Sequence, residues 1–107
     1  MIVVTTEEVV GHRIVEAKGQ VFGVVVRSRG LGGNIVAGLR SLFGGEIHEF
    51  TALVEDARRQ AIDRMVQNAT LMGANAVVRM MFDSSEMGST MTEIVAYGTA
   101  VVVEAGS

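Results

Sequence analysis

Between Glu49 and Met72 the residues Phe50, Val54, Ala57, Ala61, Met65 and Met72 recur at a spacing near 3.6, which gathers them on one face and predicts a helix. Glu55 with Arg59, and Arg59 with Asp63, form i,i+4 pairs away from that face, and Gly73 is placed to end the helix. At about 1.5 Å per residue such a helix crosses a whole sheet. The flanking segments follow a shorter period. Val-rich His12–Ser28 predicts one long bent strand, or two nearly continuous ones, with Gly19 and Gly23 as bulges or bends. Ile2–Thr5 is a short apolar run able to pair as a strand. In "NAVVRMMFD" the set Ala76, Val78, Met80 and Phe82 alternates with Val77, Arg79, Met81 and Asp83, and the first set is expected to face the helix. Ser84–Thr90 reads as a turn, and Met91–Glu104 as the last strand. Within it Ile94, Ala96, Gly98, Ala100 and Val102 share one face and Val95, Tyr97, Val101 and Val103 the other, with Gly98 marking a close backbone approach.

"GLGGNIVAGLRSLFGG", Gly30 to Gly45, predicts a short helix, because Ile35, Val36, Leu39, Leu42 and Phe43 recur at helical spacing between a capping Asn34 and a terminating Gly44. A phosphate loop needs Lys followed by Ser or Thr after its last glycine, and the only lysine is Lys18, in another segment. Ile35 stands where the dinucleotide fingerprint requires its third glycine. These glycines read as structural, with anion attraction at the helix start as the alternative. The elements predict one domain, residues 1–107, of α+β class: a mainly antiparallel sheet with one short and one long helix packed on one face.

Composition changes this picture in one respect. Counting the 13 glycines and leaving out Tyr97, about 60% of the 107 residues are apolar, against about 45–50% in typical soluble domains. No run reaches the ~18 apolar residues of a membrane-spanning helix, so no membrane span is expected and the excess points to interfaces between copies of the chain. With both faces of the last strand apolar, the sheet is expected to be covered by sister subunits in a homo-oligomer. The absence of cysteine excludes disulfides and thiolate metal sites, and the N-terminus lacks the pattern of a secretory signal, which makes a cytoplasmic location the default. A net charge of −3 argues against nucleic-acid binding. Arg58, Arg59 and Arg64 cluster, but Glu55, Asp56 and Asp63 sit among them, as on a solvated helix face.

Candidate chemistry is sparse. "EIHE" places Glu46, His48 and Glu49 within reach of a divalent transition metal, the one cofactor the sequence suggests, and a charged surface loop explains the same residues. Glu16, amid apolar residues, and Arg40, on the short helix, need partners if buried; they read as a structural ion pair or as a polar interface pocket holding an anionic or polar small molecule. Ser84 and Ser85 lack a base with an orienting acid, and adjacent Glu55 and Asp56 point apart on a helix, so no enzyme is expected.

The order of "IVEAKGQVFG", "GNIVAGLRSLFGG", Ala57–Arg58, "LMGANAVVRMMFD" and "YGTAVVVE" resembles the YbjQ-like family of small, uncharacterised bacterial proteins labelled as heavy-metal-binding. The resemblance covers essentially the whole chain. It implies a compact α+β subunit of dodecin-like class in a ring-shaped homo-oligomer, a pentamer. Glu16, Asn34, Arg40 and Arg58 match the family's polar positions, which makes Glu16, Asn34 and Arg40 its ligand-binding candidates. Ser41, Phe50–Thr51 and Asn75 depart from the pattern. The function expected is therefore a homo-oligomeric protein binding a metal or small ligand at subunit interfaces, or else a structural or partner-docking module without a ligand.

Overall fold

The computed structural model describes residues 1–28, 48–87 and 91–106. In chain order these form β1 (Ile2–Val3), β2 (His12–Ser28), α1 (His48–Leu71), β3 (Ala76–Met87) and β4 (Met91–Ala105). The predicted short helix lies outside the described residues. The sheet runs β1-β3-β4-β2 and is mixed. β3–β4 and β4–β2 pair antiparallel, as expected, but β1 lies parallel to β3, with Ile2 opposite Ala76. β2 is a single strand of 17 residues, and at about 3.3 Å per residue its length accounts for the 54 Å long axis of the molecule.

Helix α1 lies across β2 and β4 on small residues. Ala57, Ala61, Met65 and Ala69 are buried, four residues apart each time, against Val21, Val25, Ile94, Ala96 and Ala100. A Cβ on Gly23 would stand 2.3 Å from the Ala61 carbonyl oxygen and 2.4 Å from the Met65 nitrogen. Gly23 is thus where the helix backbone meets the strand, not a bulge. The bulges in β2 fall between Ile14 and Glu16 and between Ala17 and Gly19, where Gly19 takes φ 124°. The helix ends in a Schellman motif on Gly73 (φ 85°): the Gly73 N–H donates to the Thr70 carbonyl at 3.0 Å and the Ala74 N–H to the Ala69 carbonyl at 3.0 Å.

β3 corrects the simple alternation. Val77, not Ala76 or Val78, joins the helix-side core, followed by Met80 and Phe82. Ala76 and Val78 pack on the opposite face with Val9, Val101 and Val103. The cause is Arg79, whose φ of 53° makes a bulge between Val78 and Met81, and one inserted residue reverses which side chains face the helix. Gly98 lies opposite this bulge, where a Cβ would come within 2.8 Å of the Val78 carbonyl oxygen, so the close backbone approach expected there is present. The N-terminal segment secures the same place. The Arg79 N–H donates to the Thr6 carbonyl, the Met80 N–H to the Val4 carbonyl, and the Arg79 guanidinium pairs with Glu7.

Ser84–Met87, read from composition as part of a turn, continues β3 instead, with Ser84 opposite Ile94 and Met87 opposite Met91. Ser84, Ser85 and Glu86 are exposed, as suits their polarity, and pairing with β4 satisfies backbone groups of the segment. Asn75 also has a structural task. Its amide receives the Val103 N–H at 2.8 Å and donates to the Val103 carbonyl at 2.9 Å, adding a side-chain rung beside β4. Among the described residues no helix is long and apolar enough to cross a membrane.

Candidate functional site

Of the residues singled out from sequence, the structure describes Glu16 and the backbone of His48 and Glu49. Glu16, on β2, is half-exposed and accepts a hydrogen bond from Lys18 Nζ at 2.8 Å, a local pair that answers its charge. Asn34, Arg40 and Glu46 lie outside the described residues. His48 and Glu49 begin α1. Among the described residues no three His, Cys, Asp or Glu side chains group to hold a metal ion. The chain also has no thiolate to offer a soft metal.

The polar side of α1 does more than face water. Asp56 accepts from Arg27 Nη2 at 2.9 Å and from Gln60 Nε2 at 3.2 Å; Arg64 Nη1 donates to the Val24 carbonyl at 2.6 Å, and Asn68 Nδ2 to the Phe22 carbonyl at 2.8 Å. β2 is the sheet's edge strand, and these side chains occupy carbonyls that the edge would otherwise present to a further strand.

Arg58 behaves differently from its neighbours. Its guanidinium lies 5.1 Å from the centre of the Phe82 ring. Together they border a cleft of about 280 Å³ between the N-terminal half of α1 and the far end of the β3–β4 pair, with Val54, Asp83, Ser84, Thr92 and Ile94 completing its lining. Strand alternation turns the Asp83 carboxylate to the other face, where it pairs across from Val95, and Asp83 Oδ1 accepts the Ser84 N–H at 2.9 Å. The cleft therefore holds one cation over an aromatic ring, hydroxyls from two strands, and apolar walls. Sequence periodicity assigned Arg58 to a solvated face; its partner Phe82 is 24 positions away, and only the helix crossing brings them together.

The opposite face of the sheet is the other feature of note. Its N-terminal segment covers Val101 and Val103 with Val4 and Val9, and stops there. Beyond it Phe22 and Met81 flank Tyr97 in one row, 53% and 57% exposed, and Val26 is 48% exposed on the same side. The Tyr97 hydroxyl reaches Met81 Sδ at 3.9 Å.

A family model described as "Putative heavy-metal-binding" matches residues 1–104. A UPF0145 protein of Bradyrhizobium sp. (strain ORS 278) is 68% identical over 97% of this chain and 94% of its own length. UPF0145 proteins of Methanoregula boonei and Saccharolobus solfataricus are each 59% identical, over 97% and 100% of this chain and 87% and 94% of their own lengths. A crystal structure of a protein of unknown function of the DUF74 family from Pediococcus pentosaceus superposes with a TM-score of 0.67 at 13% identity, covering 97% of this chain and 98% of that one. That likeness supports the α+β fold, and none of the matches indicates an enzymatic activity.

Proposed function

This chain belongs to the YbjQ family, and from that premise we propose that it is a homo-oligomeric binding protein whose copies cover one another's open sheet face and close into a ring that holds small ligands. The reading is carried by the row Phe22–Tyr97–Met81, with Val26 beside it: bulky apolar side chains, half-exposed, on a sheet face with nothing from the chain's own described residues over them. The Arg64 and Asn68 hydrogen bonds to β2 support association through the face, since part of the edge is already occupied. A closed ring uses every such face and leaves none open, and five copies is the number the family resemblance implies. Native mass spectrometry at micromolar concentration tests the proposal. A single assembled mass at a multiple of 11.4 kDa is expected, and a folded single copy under the same conditions overturns it.

A further inference from the structure

Among the described residues every lysine and arginine side chain except one is answered by an oxygen. Arg13, Lys18, Arg27, Arg59 and Arg79 pair with Glu104, Glu16, Asp56, Glu55 and Glu7, and Arg64 donates to the Val24 carbonyl. Among the described residues no carboxylate pairs with Arg58. Its guanidinium instead lies over the Phe82 ring at the cleft between α1 and the β3–β4 pair. A guanidinium stacked on a ring keeps its planar fork of N–H donors directed outward, and that fork matches the two oxygens of a carboxylate.

We infer that this cleft is a binding site for a small aliphatic monocarboxylate. The carboxylate takes the Arg58 fork, the Ser84 hydroxyl lies on the same wall, and the hydrocarbon lies between Val54 and Ile94. Three observations set the class. Among the described residues of the lining Arg58 is the only cation, which suits a single negative charge better than a phosphate dianion. The apolar lining on both α1 and β4 gives the hydrocarbon a surface to leave water for. The volume, about 280 Å³, sits just below the ~300–1,000 Å³ of drug-sized pockets and suits a ligand of a few carbons. The cleft is made within one copy of the chain, so this site goes beyond the assembly proposed above and does not depend on it.

The test is isothermal titration of the full chain with 3-methylbutanoate, with 3-methylbutanamide and inorganic phosphate as comparison probes. Saturable binding of 3-methylbutanoate at one per chain is expected, with the amide weaker by about tenfold or more because it lacks the charge. Arg58→Gln should weaken the acid by a similar factor while the number of subunits and the melting temperature stay as in the parent, and Arg58→Lys should fall between, keeping charge but losing the fork. Phe82→Leu should weaken binding by a smaller factor, since the apolar wall remains. Acid and amide binding equally, phosphate binding more tightly than the acid, unchanged affinity in Arg58→Gln, or no saturable binding at millimolar concentration would each overturn the assignment.

Discussion

The two faces of the sheet are built from the same strands and reach opposite conditions. On the helix side β4 presents Ile94, Ala96, Gly98 and Ala100, every one buried; on the other side it presents Val95, Tyr97 and Thr99, all partly open. Hydropathy alone does not separate them. Size does. The helix side is dominated by glycine and alanine, with Gly23, Ala96 and Ala100 facing Ala57, Ala61 and Ala69, and small residues let two backbones touch. The open side carries Phe22, Tyr97, Met81 and Val26, which the described residues leave partly exposed. Where the helix backbone meets the sheet the residues are small, and the bulky Phe22–Tyr97–Met81 row has nothing from the described residues over it.

The hardest way to break this comparison is to put bulk on the small side. Gly23→Val places a branched side chain where a single Cβ already stands 2.3 Å from one helix backbone atom and 2.4 Å from another. Backbone cannot swing aside as a flexible side chain does, so the helix must lift and uncover Ala57, Ala61, Met65 and Ala69 together. Overpacking alone costs about 1–3 kcal/mol, and losing a buried methionine's contacts costs about 2–5 kcal/mol. Set against a total stability of about 5–15 kcal/mol, the variant is expected to lose its cooperative thermal transition by circular dichroism. A melting curve like the parent's would show that the helix does not rest on Gly23.

The reverse substitution, a charge on the bulky side, should spare the fold and strike the assembly. Phe22→Glu changes a side chain that is 53% exposed in one copy, so its helical circular dichroism should persist. At an interface between copies the carboxylate would be buried unpaired, at a cost of roughly 3–5 kcal/mol per site, enough to dissociate the oligomer at micromolar concentration. Sedimentation velocity of this variant, alone and with Met81→Glu added, reads the effect directly. An unchanged sedimentation coefficient would move the interface elsewhere.

How much of this was legible beforehand depends on whether the signal was local. The helix was readable within one residue at each end, because apolar spacing and a glycine terminator are local facts. The faces of β4 were readable for the same reason. The faces of β3 were not, since the bulge at Arg79 is held by Val4, Thr6 and Glu7, more than 70 positions away, and nothing in "NAVVRMMFD" announces an extra residue. β1 was visible as a strand but its parallel partner was not, because two residues carry no register. The cleft was missed outright: Arg58 reads as one charge among several, and its pairing with Phe82 exists only once α1 crosses the sheet. Asn75 likewise looked like a lost polar function, when its amide serves the backbone of Val103.

Glu16 sharpens the comparison from its quiet end. A carboxylate within an apolar strand invites a functional reading, because a buried lone charge would be costly enough to require a reason. The strand geometry removes that premise. Glu16 lies at one of the two bulges of β2, its side chain is 56% exposed, and Lys18 two positions on supplies its partner. An exposed ion pair of this kind contributes about 0–1 kcal/mol, since water screens it and holding two long side chains costs entropy. Glu16→Gln removes the charge and keeps the shape, so its effect on stability should be under about 0.5 kcal/mol and the number of subunits and ligand titrations should match the parent. A large loss in either measurement would mean that Glu16 meets something the single copy does not contain, and the open surface would then have to extend around the end of β2 as well as across the Phe22–Tyr97–Met81 row.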